Sequence, residues 1–560
     1  MPNLADNLVA TATRSPSAVA IKLDDVEVTF AALEALSQQV ATILSEEGVQ
    51  PGDRVALIMP NIPQMAFVYY GVLRAGAVVV PLNPLLKGRE VAYHLTNSGA
   101  RLVFAWEGIL AEAQAGAEAS GAETGAEVVV LTVDSGAFMQ RVSGAAPTPG
   151  VVDRDGEDTA VVLYTSGTTG RPKGATLSHA NLSRNTEISR DLMDTREGQV
   201  LFGGLPFFHI FGQTCALNAA VLTGATVTLL PRFEPGKALE IIARDRVTIF
   251  EGVPTMYVAM LRHPAVSTTD LSSVRVAVSG GSALPVEVLH EFERVFGADL
   301  LEGYGLSETS PIVSFNRVGA LRKPGSIGTP VEGVEVRILD PEGQEVPTGD
   351  VGELAVRGHC VMKGYWENPE ATEAAIPDGW FRSGDLARYD EDGLLYIVDR
   401  KKDVILRGGY NVYPREVEEV LYEHPAVAEA AVIGVPDELH GEEIVAVIGL
   451  RAGPSPPTTP PARLLPRNSW SSRRSAWPPT STRAGWSWWR RCPRDPRARS
   501  SSGRSRSSPG RCAPHRTRRR PARRRPPRAP PRRGSARLAS PARARWRRPP
   551  PVRRPAPRRR

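Results

Sequence analysis

Between about residue 50 and residue 330, apolar residues come in short runs separated by longer amphipathic stretches. RVALIM, AVVVPL, LVFAW, VVVLTV, TVTLLP and VRVAVSG each read as a strand, and helical patterns lie between them. Parallel strands need a crossover that a helix supplies, so this alternation predicts α/β architecture with largely parallel sheets. After about residue 325 the texture changes. VEVRILDPEGQEVPTGDVGELAVRG is strand punctuated by turns and predicts a small antiparallel barrel or sheet. Asp390-Glu391-Asp392-Gly393 before LLYIVD adds a hairpin signal. From Arg400 to Leu450 the order is strand, loop, helix (PREVEEVLYEHP), strand (VAEAAVIGVP) and strand (EEIVAVIGL), the opening of a separate α+β domain. No repeat period is visible. The expected organisation is a large domain over 1–398, a partial small domain over 399–451 and a disordered tail over 452–560.

Charge sharpens that last boundary. Residues 452–560 carry 33 Arg, no Lys and a single acid, Asp495, a formal +32; the whole chain is only +7, so residues 1–451 carry −25. An acidic globular body is joined to a polymer of another kind. Cys215 and Cys360 are the only cysteines of the body and have no disulfide or zinc spacing. The opening MPNLADNLVATATRSP places an acid before its first basic residue and has no long apolar segment, unlike a secretory signal. FVYYGVLRAGAVVVPL, the most apolar stretch, is interrupted by Arg74 and too short to span a bilayer. The body is expected in the cytosol.

The chemistry concentrates first in YTSGTTGRPKG, residues 164–174, directly after the apolar run Val161-Val162-Leu163. Hydroxyls and backbone N–H groups in a glycine-rich turn make an anion nest, and a lysine adds a point charge suited to phosphate. It is not a Walker A loop, since no Gly-Lys-Ser/Thr closes it at the required spacing. The bland alternative is a flexible Ser/Gly surface loop; the strand before it and the lysine after it count against that.

Further stretches follow: LPFFHIFGQ (205–213), SGGSALP (279–285), LEGYGLSETSP (301–311), GWFRSGDLARYDEDG (379–393), DRKKDVI (399–405) and GGYNVYPREVE (408–418). In content and order, over roughly residues 20–450, the chain resembles the adenylate-forming enzymes: acyl-CoA synthetases, luciferases and peptide-synthetase adenylation domains. The resemblance implies a fold of two αβ sheet subdomains plus a small β-barrel, followed by a small α+β domain. It implies ATP and coenzyme A as co-substrates, Mg²⁺, and a carboxylic acid that attacks the α-phosphate. Such a reaction needs charge neutralisation and positioning more than an acid or base.

By the same resemblance, Thr165, Ser166, Gly167, Thr168, Thr169, Gly170 and Lys173 form the phosphate loop, and Glu308 with Thr165 holds Mg²⁺. Tyr304 stacks on adenine, flanked by Glu302, Gly303 and Gly305; Gly281, Ser282 and Ala283 line the base, and Ser307 lies near the α-phosphate. Asp385 accepts the ribose hydroxyls, Arg400 contacts the nucleotide, and Lys402 is the hinge. His209 stands at the mouth of the acyl pocket, where a lone histidine in apolar sequence is otherwise a core residue. Gly408 and Gly409 serve the pantetheine channel, where glycine permits a sharp turn and close approach. The pocket stretches Phe207–Gly212, Gly252–Tyr257, Gly303–Leu306 and Pro311–Val313 are mostly small or apolar, which favours a medium- to long-chain fatty acid over a hydroxycinnamate-type aryl acid.

The family's small domain continues past Leu450 to a Gly-Lys motif that brings a lysine to the adenylation site. Here RAGPSPPTTPPARLLPRNSW intervenes, and no Lys follows Lys402. One reading is a native basic arm for nucleic acid or a membrane. An evolved arm normally mixes Lys with Arg and rarely carries six tryptophans, among them Trp486, Trp488 and Trp489. The favoured reading is translation out of frame from near Gly453–Ser455. Arg497 to Gly503 can be encoded by CGG GCA AGA TCC TCA AGC GG, and starting one nucleotide before each codon gives GGC AAG ATC CTC AAG CGG, or Gly-Lys-Ile-Leu-Lys-Arg. The same shift lets Cys492-Pro493 encode Leu-Pro and Thr480-Ser481 encode Tyr-Lys. The two readings part in the gene itself. An off-frame tail predicts that the shifted frame stays open through Gly-Lys-Ile-Leu-Lys-Arg when codons 440–510 are sequenced independently. It also predicts that any nucleic acid affinity of residues 452–560 is weak and collapses with added salt. Stops in the shifted frame, or specific salt-resistant binding, would favour a non-catalytic nucleic-acid-binding protein built on a relic enzyme body.

Overall fold

The apolar runs become the central strands of two large sheets. A computed structural model describes residues 3–134, 136–165, 171–424, 426–437 and 440–450; Ser166 to Gly170 and the tail lie outside the described residues. Val129–Val133, Leu102–Trp106, Arg54–Ile58, Val78–Leu82 and Thr159–Thr165 are parallel neighbours, in that order, in a seven-stranded sheet. Lys173–Ser178 and Gly364–Tyr365 extend it as antiparallel strands. The first four parallel strands bury nearly every side chain except those of Val129–Val133, because crossover helices cover the faces.

The second sheet has nine strands in the order Thr329–Pro330, Ile312–Phe315, Asp299–Gly305, Val276–Ser279, Ile249–Gly252, Val200–Gly203, Thr226–Leu229, Val19–Leu23 and Val26–Thr29. Its interior is parallel and each end is closed by antiparallel pairing. Alternation along these strands sorts residues between two cores. Ile249, Val276 and Val278 join the core shared with the first sheet, while Phe250 and Ala277 pack with Phe202, Tyr257 and Phe292 on the opposite face.

The turn-rich segment forms a four-stranded antiparallel sheet in the order Val334–Leu339, Gly352–Gly358, Phe381–Tyr389 and Leu395–Arg400. Its outer strands are not paired with each other, so the small barrel is open among the described residues. Beyond Arg400, a second four-stranded sheet (Tyr410–Val412, Ile405–Arg407, Gly441–Leu450, Val427–Asp437) packs on the helix Pro414–Tyr422. Its core is small: Ile405, Val427, Val432 and Ala446, with Pro414 at the start of the helix, are its buried apolar residues among those described, while Val420, Ile433 and Val447 stay exposed.

Local chemistry sets the helix that later lines the site. Ser178 Oγ accepts a hydrogen bond from the Asn181 N–H (3.1 Å) and Asn181 Oδ1 accepts one from the Ser178 N–H (2.9 Å), a reciprocal cap on the helix His179–Met193. Arg74, which interrupts the longest apolar run, is 2% exposed and does not face lipid or water. It pairs with Glu34, donates to Ser37 Oγ at 3.2 Å and to the Gly150 carbonyl at 2.5 Å, tying two helices to the segment that enters the strand Thr159–Thr165. Removing one member of a buried pair strands the other. Arg74→Met is therefore expected to lower the unfolding free energy by about 3 kcal/mol, measured by urea denaturation.

Candidate functional site

The ends of the two parallel sheets and the antiparallel sheet border one cavity of about 1500 Å³. Thr165, Lys173, His209, Gly281, Ser282, Ala283, Glu302, Gly303, Tyr304, Gly305, Ser307, Glu308, Asp385, Arg400 and Lys402 all line it. Residues far apart in the chain, chosen by motif, therefore share one space. Ser166, Gly167, Thr168, Thr169 and Gly170 lie outside the described residues. Gly408 and Gly409 are not brought to this cavity; they form a turn with φ of +58° and +85°, where the Gly408 N–H donates to the His440 carbonyl at 2.8 Å.

Glu308 follows the strand Asp299–Gly305 on a short 3-10 turn and is 8% exposed. Its Oε1 accepts hydrogen bonds from the Thr165 hydroxyl and the Tyr365 hydroxyl, both at 3.0 Å. Thr165 ends the last parallel strand of the first sheet and Tyr365 sits on its edge, so this carboxylate spans the junction between the two large sheets. The Lys173 ammonium lies 5.1 Å from the centre of the Tyr365 ring, a cation–π placement beside the same carboxylate. Gly305 is required here by space: a Cβ on it would meet the Pro311 carbonyl oxygen at 1.8 Å.

Across the cavity, the Tyr304 hydroxyl donates to Asp385 Oδ2 at 2.5 Å, and the Arg400 guanidinium lies 3.6 Å from Asp385 Oδ1. Asp385 and Arg400 are register partners on adjacent strands, which is why they meet. Burial raises the Asp385 carboxyl above its ordinary value, against the opposing pull of the Tyr304 hydrogen bond and of Arg400. His209 is exposed at the cavity wall, where its Nδ1 accepts from the Phe211 N–H at 3.2 Å; the surrounding protein holds its imidazole below the usual range.

Glu302 is 4% exposed, and its Oε2 accepts from the Leu284 N–H at 2.9 Å. Burial pushes its carboxyl up to about 7, with Arg415 pulling down and Glu419 pushing up. Sequence reasoning missed Tyr365, Glu353 and the inner wall from the helix His179–Met193: Ser189, Leu192 and Met193. A helical count from the Ser178 cap would have placed Ser189 and Met193 on one face, four residues apart, but nothing local says which face meets a cavity.

An α/β body whose strand ends present a hydroxyl–carboxylate pair and a Tyr–Asp–Arg cluster to one cavity defines a nucleotide-binding enzyme. The AMP-binding enzyme family matches residues 8–366, and the AMP-binding enzyme C-terminal domain matches residues 416–465. The chain belongs to the AMP-binding enzyme family. It is 39% identical over 486 residues to a long-chain-fatty-acid–CoA ligase of Bacillus subtilis strain 168, covering 81% of this chain and 87% of that protein. It is 38% identical over 445 residues to a feruloyl-CoA synthase of an Amycolatopsis species, covering 79% and 87%. Among solved structures it is similar to ATP-bound MatB from Rhodopseudomonas palustris, with a TM-score of 0.75 at 36% identity over 80% of this chain and 88% of that one. It is also similar to the anthranilate CoA ligase AuaEII in complex with anthranoyl-AMP, with a TM-score of 0.80 at 29% identity over 88% and 94%.

The raised carboxyl of Glu302 gives the site a pH signature. The folded group titrates at about 7 against an ordinary 4.5, so above 4.5 the folded state keeps a proton that the unfolded chain has released. Stability from this group is therefore full below pH 4.5 and declines as pH rises through 7. Glu302→Gln is expected to flatten the fall in melting temperature between pH 5 and pH 8, read by scanning calorimetry. An unchanged slope would show that the carboxyl ionises normally.

Proposed function

We propose that the chain is an ATP-dependent acyl-CoA ligase that converts a carboxylic acid, ATP and CoA to acyl-CoA, AMP and pyrophosphate through an acyl-adenylate, with a fatty acid as the favoured acid. The observation that carries this reading is the single cavity that gathers Thr165, Lys173 and Glu308 at one junction and Tyr304, Asp385 and Arg400 at another. Family membership and the CoA ligases among the relatives support it.

In this reading the Thr165 hydroxyl and the Lys173 ammonium hold the terminal phosphates, while Tyr304 packs on adenine and Asp385 accepts the ribose hydroxyls. Ser307 and Arg400 border the α-phosphate side. The donor set of Glu308 and Thr165 fits Mg²⁺, which takes one or two carboxylates together with substrate phosphates. When bound, that ion supplies charge neutralisation to the triphosphate. The protein's own part is to fix geometry and exclude water around a carboxylate approaching a phosphate, which is where preorganised dipoles contribute most. Lys402, in the turn after the strand Leu395–Arg400, is the proposed hinge, and Gly408–Gly409 the loop presented to CoA.

The proposed organisation is a catalytic domain over 1–398, a partial small domain over 399–451 and an off-frame tail from 452. As it stands, the chain then lacks the lysine that its small domain brings to adenylation. Its proposed partners are small molecules: the acid, ATP and CoA. Specific nucleic acid binding is not expected. The described residues contain no helix long and apolar enough to cross a membrane, and the reading places the protein in the cytosol, where ATP and CoA are supplied. A second reading within the same chemistry is an aryl acid–CoA ligase; the relatives named feruloyl-CoA synthase and anthranilate CoA ligase favour it.

A panel of fatty and aryl acids in a pyrophosphate-release assay tests both, run on this chain and on frame-repaired protein. The repaired protein should release pyrophosphate in an acid-dependent way and the present chain about 10²–10³-fold more slowly, the usual loss for one preorganised charge. Glu308→Gln in the repaired protein should cost a similar factor. No acid-dependent release from repaired protein would sink the proposal.

A further inference from the structure

The backbone passes from the body to the small sheet at Lys402. Just before it, the Lys401 N–H donates to the Gly384 carbonyl at 2.9 Å and the Lys401 ammonium pairs with Glu353 at 3.0 Å. The strand Leu395–Arg400 and the residue after it are thereby tied to the antiparallel sheet. From Ile405 onward the chain belongs to the small sheet. The helix Pro414–Tyr422 belongs there too: Val417 and Leu421 pack on its core, and Glu418 Oε1 accepts from the Val432 N–H at 2.8 Å.

Arg415, the second residue of that helix, reaches back across this crossing. Its guanidinium Nη1 donates to the Ile397 carbonyl at 2.5 Å, and its N–H donates to Asp399 Oδ2 at 3.1 Å. Asp399 Oδ1 accepts from the Arg400 N–H at 2.7 Å, which fixes the carboxylate on the body side. The first N–H groups of a helix have no partner within it, and its N-terminus favours a negative group. Here the capping residue Tyr413 offers no side-chain acceptor, and the body supplies Asp399 instead. The Arg415 side chain is 16% exposed, so its charged hydrogen bond is sheltered from water. With this contact closed, Gly408 and Gly409 stand exposed and outside the cavity.

Resting on the acyl-CoA ligase reading and its hinge, we propose that Arg415 is a positioning residue that, with Asp399, bolts the small domain in this pose and lets go before CoA meets the acyl-adenylate. Carrying Gly408 and Gly409 to the cavity turns the small sheet about Lys402, and Arg415 turns with it away from Ile397 and Asp399. The rate of the CoA step is then proportional to the fraction of molecules in which the bolt is open. One hydrogen bond from a charged group biases such an equilibrium by about 10-fold or more. Weakening the bolt speeds the second half-reaction, whereas damage to the fold slows it.

The test uses the full chain and reads both the contact and the reaction. Hydrogen exchange followed by mass spectrometry reports the contact: Arg415→Met should speed exchange of residues 399–416 about 10-fold. The strands Arg54–Ile58 and Leu102–Trp106 of the body, and Val427–Asp437 and Gly441–Leu450 of the small sheet, should exchange as before. Acyl-CoA formation from supplied dodecanoyl- or cinnamoyl-adenylate and CoA, in single turnovers, reports the reaction. It should rise about 10-fold in Arg415→Met and in Asp399→Ala, while Arg415→Lys, which keeps the charge, should stay near the parent rate. Faster exchange of the small-sheet strands in both the methionine and the alanine variant would make the contact part of the fold alone. A CoA step slowed or unmoved in both would show that nothing is bolted. Either result overturns the inference. If the parent and every variant form no acyl-CoA from either adenylate, the acyl-CoA ligase reading fails instead, and exchange alone decides the Arg415 contact.

Discussion

Two buried carboxylates hold three sheets to one cavity, and most of what the protein can do follows from their placement. Glu308 joins the nine-stranded sheet to the seven-stranded one through Thr165 and Tyr365, and Asp385 joins the antiparallel sheet to the nine-stranded one through Tyr304. Negative charge taken out of water is costly unless it is paired or hydrogen-bonded. Glu308 meets neutral hydroxyls and the nearby Lys173, and Asp385 meets a phenol and one half-exposed arginine at 3.6 Å. Neither is fully compensated. Each junction therefore keeps capacity for a ligand that brings hydroxyls or a cation, which is the chemistry of a ribose and of a metal-bound triphosphate.

The same economy separates structural from functional polar groups elsewhere. Arg74 is as buried as any core residue, yet each of its three guanidinium nitrogens has a partner in Glu34, Ser37 or the Gly150 carbonyl, so it reads as a brace between helices. Glu251 is equally buried, and neither of its carboxylate oxygens has a hydrogen-bond partner among the described residues. Burial alone does not distinguish the two cases. The count of satisfied hydrogen bonds does, because an unpaired group persists only where something other than stability retains it.

The small sheet beyond Arg400 shows the opposite shortage. Its buried apolar core among the described residues is Ile405, Val427, Val432, Ala446 and Pro414, and Val420, Ile433 and Val447 remain open to solvent. A helix and four strands of this size bury too little apolar surface to be strongly stable alone. This agrees with the proposal that the reading frame leaves the domain before its remaining elements are made, and the uncovered strands are a surface prone to self-association.

Much of this was legible in the residues themselves. The parallel strands RVALIM, AVVVPL, LVFAW and VRVAVSG, the antiparallel region after 325 and the helix in PREVEEVLYEHP follow from periodicity, because each depends on which side of a short local segment is apolar. The ordered motifs named Thr165, Tyr304, Glu308, Asp385 and Arg400, and charge alone marked the tail. What the chain could not declare is which of these would meet, and with what. The Tyr304–Asp385 hydrogen bond joins residues 81 apart and the Thr165–Glu308 bond residues 143 apart. Gly408 and Gly409, chosen by motif, stand away from the cavity, while Ser189, marked by no motif, lines it. Sequence encodes residue type and local period; whether a buried polar group finds a partner is decided by distance between segments, and only the folded arrangement sets that distance.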